Sequence, residues 1–170
     1  MQPIILPYQG ILPRIHEQAW IAPGAVIIGD VEIGKDSNIW FGCVIRGDVQ
    51  SIRIGERTNI QDGTVIHVTR KTGPTFIGSG ITVGHSALLH ACTLEDECFV
   101  GMHATVMDHA VVESYAMVAA GALVAPRKRV PTGELWAGNP AKCMRQMKQD
   151  ERDYIPVSAK HYIALSKSYL

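Results

Sequence analysis

Aliphatic residues recur along this chain at six-residue intervals. The series runs Ile21, Ile27, Ile33, Ile39 and Ile45, resumes at Ile54, Ile60 and Ile66, and again at Ile77, Val83 and Leu89. After one step of five it continues through Leu94, Val100, Val106, Val112, Val118 and Val124. A small residue follows many of these positions at the fourth place, as in Ser37, Thr58, Thr64, Ala87, Ala104, Ala110, Ala116 and Ala122. A period of six suits neither a helix nor a hairpin meander, but it fits a hexapeptide solenoid. Each repeat then contributes one short strand and one turn, with the aliphatic side chain inward and the small residue where the turn leaves no room.

The pattern predicts an all-β solenoid over residues 21–126. The first twenty residues hold Pro3, Pro7 and Pro13, break the period and read as an extended arm laid on the coil. Residues 127–152 read as an exit segment. Residues 153–170 carry Ile155, Ala159, Tyr162, Ile163 and Leu170 at helical spacing, with Asp153 as candidate N-cap and Pro156 in the first turn, where a missing N–H costs little. A C-terminal α-helix against the solenoid or a neighbouring subunit is expected.

Two interruptions stand out. The step from Ile45 to Ile54 is nine, so Arg46–Ser51 includes a bulge; the step from Ile66 to Ile77 is eleven, so residues 67–76 include a loop. Loops that interrupt a regular scaffold commonly carry sites.

Three histidines flank the second interruption. Counted in repeats, three steps lead from Ile66 to Leu89, so His67 and His90 each follow an inward residue by one and stack one coil apart. Parallel strands about 4.8 Å apart allow two imidazoles to converge on one ion with bonds of about 2.0–2.1 Å. His85 follows Val83 by two, around a corner, and points elsewhere. A three-histidine ligand set is therefore completed most simply by His85 of a neighbouring copy, which suggests a trimer with metal between subunits. The alternative is three separate surface histidines, the reading that fits His16, His103, His109 and His161.

Composition narrows the classes. The 170 residues carry no net charge, and 19% are charged, so no face for nucleic acid is evident. No apolar run reaches membrane-span length, and the first residues do not read as a signal peptide. Four cysteines without a C-x-x-C pair suit reduced thiols in the cytoplasm.

Together, Ile45-Arg46-Gly47-Asp48, Asn59-Ile60-Gln61-Asp62-Gly63, His67, Gly84-His85 with His90, and Gly138-Asn139-Pro140-Ala141-Lys142 resemble the gamma-class carbonic anhydrase family. The last motif is shared with hexapeptide acyltransferases. The resemblance implies a homotrimer of left-handed parallel β-helices, each metal held by His67 and His90 of one subunit and His85 of the next. It implies that Gln61 hydrogen-bonds the reacting water or substrate and that Arg46, Asp48 and Asp62 form an ion-pair network beside the site. Tyr162 matches a tyrosine that points toward the site in bacterial members; a core aromatic is the other reading. Zn2+ is the expected cofactor, with Fe2+ or Co2+ also suited to three histidines and water. Such an ion activates water toward CO2 to give bicarbonate. The family's archetype uses loop glutamates to move the proton; here the bulge offers Val49, Gln50 and Ser51, and the loop offers Arg70 and Lys71. Weak or absent hydration activity follows, and a metal-dependent hydrolase or thioesterase on acyl-CoA, or a non-catalytic metal-binding trimer, stays open.

Overall fold

The computed structural model describes residues 2–169; Leu170, placed above on the helical stripe, lies outside them. The chain winds as a parallel β-solenoid of about seven turns closed by one helix. Three stacks of short strands form its walls. The first contains Ile4–Leu6, residues 26–28 and 44–46, Val65–His67, Leu88–His90, Thr105–Val106 and Leu123–Val124. The second runs from Arg14–Ile15 to Arg129–Val130, and the third from Trp20–Ile21 to Glu134–Gly138.

The period of six arises because each wall needs one inward side chain and each corner one sharp bend. The inward residues Ile27, Ile45, Ile66, Leu89 and Val106 are all fully buried and stack along one wall. The bends fall on residues in the left-handed region: Gly63 (φ +70°), Ser86 (+57°) and His103 (+56°) share one corner. Small side chains before the strands, Thr64, Ala87 and Ala104 among them, are likewise buried.

The coil extends beyond its expected limits at both ends. The arm of residues 1–20 is extended but also paired: Ile5 lies opposite Ile27 and Ile15 opposite Ile33, so its described part belongs to the first coil. Prolines and a turn at Gln9–Gly10 hide the period there. Past Val124 the period runs on through Val130, opposite Val112, and Trp136, opposite Val118. Only then does the antiparallel strand Ala141–Gln146 lead away, so the exit segment is shorter than residues 127–152.

The helix spans Gln149–Lys167, starting four residues before Asp153, with Lys148 at the N-cap. The start is set by Glu151, which accepts the Lys148 N–H at 2.8 Å and pairs bidentately with Arg145 at 2.7 Å for both bonds. Asp153 instead accepts from Gln149, and Pro156 lies inside the helix rather than in its first turn. Ile155, Ser158 and Ala159 are buried, which seats the helix on the third wall. No helix among the described residues is long and apolar enough to cross a membrane.

Candidate metal centre

Strands Val65–His67 and Leu88–His90 pair in parallel with Ile66 opposite Leu89 and His67 opposite His90. Because Ile66 and Leu89 point into the core, strand alternation turns both histidines outward. His67 Nδ1 stands 3.3 Å from His90 Nε2. Each ring's other nitrogen faces a carboxylate: His67 Nε2 lies 3.0 Å from Asp48, and His90 Nδ1 lies 3.0 Å from Asp108.

Those carboxylates decide the tautomers. Burial raises the Asp48 carboxyl, but hydrogen bonds from His67, Arg46 and the Val49 N–H outweigh it and hold the group below the ordinary carboxylate range. For Asp108, burial is likewise outweighed by hydrogen bonds from Thr69 and His90. An ionised carboxylate only accepts, so the outward nitrogens carry the protons. The inner nitrogens, His67 Nδ1 and His90 Nε2, face each other and are the two that can offer lone pairs to a shared ion. Two nitrogens on one tetrahedral ion with bonds of about 2.0–2.1 Å stand roughly 3.3–3.4 Å apart, which the pair matches. The residues thus fit a divalent metal.

A second group occupies a different corner. His85 precedes the left-handed Ser86, and its Nδ1 pairs with Asp62 at 2.8 Å. Gln61 is buried and donates from Nε2 to Asn59 at 3.0 Å; Asn59 donates to Thr82 at 2.9 Å, and Thr82 meets Ser158 of the helix at 2.9 Å. Tyr162 lines a cavity of about 260 Å³ with Gln61, Gly84, Met102, Met117 and Tyr154. Its ring lies edge-on to Trp40, centroids 5.5 Å apart. Burial, and then the negative charge of Asp62, pushes the Tyr162 hydroxyl above its ordinary pKa.

The expected site residues therefore fall into two halves. Arg46, Asp48, His67 and His90 meet at one corner; Gln61, Asp62, His85 and Tyr162 gather at another. Arg46 and Asp48 are ion-paired, whereas Asp62 is paired to His85 and not to them within one chain. Among the described residues, no hydrogen bond or ion pair joins the halves, and no three His, Cys, Asp or Glu side chains of one chain form a ligand set. Asp108 and Thr69 escaped the sequence reading. The available signal was spacing: Leu89 lies opposite Val106, 17 residues on, so Asp108 falls one coil beyond His90 and one position further along the chain.

Comparison with known proteins agrees with this architecture. Residues 13–47 match the family described as bacterial transferase hexapeptide (six repeats). Gamma carbonic anhydrase 2, mitochondrial, of Arabidopsis thaliana is 54% identical over 91% of this chain, although the chain spans only 58% of that protein. A protein of Methanocaldococcus jannaschii named "Probable carbonic anhydrase" is 46% identical over 91% of this chain and 96% of its own length. The crystal structure of a hexapeptide transferase family protein from Anaplasma phagocytophilum, 53% identical, superposes over 98% of both chains with a TM-score of 0.95. The chain belongs to the gamma-class carbonic anhydrase family of hexapeptide-repeat proteins.

Proposed function

We propose that this protein is a metal-dependent carbonic anhydrase-like enzyme that interconverts CO2 and bicarbonate at sites shared between subunits of a homotrimer. The observation that carries the reading is the His67–His90 pair, with two ring nitrogens facing across 3.3 Å and each ring backed by a carboxylate. A divalent ion, Zn2+ first and Fe2+ or Co2+ as alternatives, supplies Lewis acidity that activates water toward CO2 at neutral pH.

Sharing is supported by the place of His85 and by the surface around the pair. The first wall presents an outward column Ile4, Val26, Val44, Val65 and Leu88 beside the two histidines, in register from coil to coil. Ile4, Val65 and Leu88 are exposed in the single chain. A contiguous apolar stripe of this kind marks a contact surface. A second copy that covers it with the corner of His85 and Gln61 would join the two halves.

The chain's own residues then have separate tasks. Asp48 and Asp108 hold the imidazoles. Gln61 uses its Nε2 on Asn59, so its Oε1 is left to accept a hydrogen bond from the reacting water. Tyr162 stays protonated at neutral pH and acts as a donor. Neither interrupting segment brings a glutamate, so proton export is slow and hydration weak. The four free thiols suit the reducing cytoplasm, where we place the protein.

The test is metal analysis, mass in solution and CO2 hydration for the protein and its His85→Ala variant. The expected result is a trimer with bound metal and measurable hydration, both metal and activity falling in the variant. A trimer that binds no metal contradicts the proposal, and a metal-loaded trimer inert toward CO2 removes the anhydrase activity from it.

A further inference from the structure

The loop that lengthens the Ile66–Ile77 step has a defined shape and one specific contact. Thr69 and Gly73 close it with two backbone hydrogen bonds, Thr69 N–H to Gly73 O at 2.9 Å and Gly73 N–H to Thr69 O at 3.1 Å. Its far end is tied down where the Thr75 hydroxyl donates to the His67 carbonyl at 2.7 Å. The turn lies tight on the coil: a Cβ on Gly73 would come within 2.7 Å of the Ala91 Cβ and 2.8 Å of the Thr69 Cβ. This closure delivers the Thr69 hydroxyl to Asp108, 39 residues ahead in sequence, at 2.5 Å. Asp108 Oδ1 takes that bond, and Oδ2 faces His90 Nδ1 at 3.0 Å.

We infer that the inserted loop is a brace for the metal centre, in which Thr69 pins Asp108 and Asp108 in turn fixes the tautomer and ring orientation of His90. Thr69 and Asp108 are positioning residues; neither touches a reacting atom. With one oxygen held by the hydroxyl, the carboxylate cannot turn away from His90, and the imidazole must present Nε2 toward His67. A carboxylate behind a histidine ligand also strengthens it as a donor, and losing such a partner typically weakens metal binding about 10–100-fold. The inserted segment is thereby explained without any acid–base group of its own.

The inference rests on the metal reading of the His67–His90 pair, so its test starts in metal-free protein. Long-range 1H–15N correlation spectra at pH 8 report which His90 nitrogen carries the proton. The expected spectrum shows Nδ1–H in the wild type, a mixture of tautomers in Asp108→Ala, a partial shift in Thr69→Val, and recovery in Thr69→Ser. Zn2+ affinity, measured by competition with a chelator, should fall roughly 10–100-fold in Asp108→Ala, less in Thr69→Val, and return in Thr69→Ser. Thr69→Val keeps the shape of the side chain, so it decides the matter even where Asp108→Ala fails to fold. A His90 tautomer that neither substitution moves overturns the brace whatever the affinities. A correct tautomer in a protein with no Zn2+ affinity leaves the brace standing and removes the metal reading instead.

Discussion

His67 and His90 are 23 residues apart in sequence and directly opposite each other on neighbouring parallel strands, with their facing nitrogens 3.3 Å apart. The relationship depends on two buried residues beside them, Ile66 and Leu89, which hold both strands to the core by their inward side chains. The geometry of the histidine pair and the stability of the fold are thus coupled at one coil.

Leu89→Ala should expose that coupling. The side chain is fully buried between Ile66 and Val106, so its truncation should cost about 2–5 kcal/mol. Urea denaturation should show a lower midpoint at unchanged slope, and metal affinity should fall as His90 loses its fixed place. An unchanged midpoint would argue against the inward register.

Gly47→Ala addresses the other histidine. A Cβ at Gly47 would lie 2.5 Å from the Asp30 carbonyl oxygen, a backbone atom that cannot rotate aside. The adjacent Asp48 must then move from His67. The expected outcome is a destabilisation of about 1–3 kcal/mol together with weaker metal binding, measured by denaturation and chelator competition.

Tyr162→Phe separates packing from chemistry. The ring keeps its edge-on contact with Trp40, so stability should change by less than about 0.5 kcal/mol. Metal content should also hold, while the CO2 hydration rate drops. An unchanged rate would leave Tyr162 with the core-aromatic role alone.

Acid should loosen the helix. Glu151, paired with Arg145 and the Lys148 N–H, has its pKa lowered from 4.5 to about 2. A depressed carboxylate stabilises the fold fully above its ordinary pKa, and that contribution is lost as pH falls from about 4.5 toward 2. The stability difference between wild type and Glu151→Gln should therefore be largest near neutrality, about 1 kcal/mol, and vanish by the acid end of that window. Chemical denaturation across pH checks it.

Much of this organisation was legible in the sequence, for definite physical reasons. A solenoid repeats one local requirement at every coil, so Ile45, Ile66 and Leu89 announce their alignment once the steps are counted in repeats. The same count separates His85 from His90 and pairs His90 with His67. The ends were harder because other signals overlay the period. Pro3, Pro7 and Pro13 mask Ile5 and Ile15, while Arg127-Lys128-Arg129 reads as a charged exit although Val130 still faces inward. The helix start was misplaced because its cap is built by Glu151 reaching backward, not by a capping side chain at Asp153. Asp108 and Thr69 stayed hidden because their roles exist only across the coil, and neither residue type is unusual in a turn.

We propose that one site draws His67 and His90 from one subunit and His85 from another. Chains carrying His67→Ala and chains carrying His85→Ala should each fail to bind metal alone. Unfolded together and reassembled, they should regain about a quarter of the wild-type sites, because a random pairing places intact His67–His90 beside intact His85 that often in a closed ring of three. Metal content of the reassembled mixture is the measurement. Recovery near that level is the expected result; a mixture as empty as its two parents would contradict a shared site.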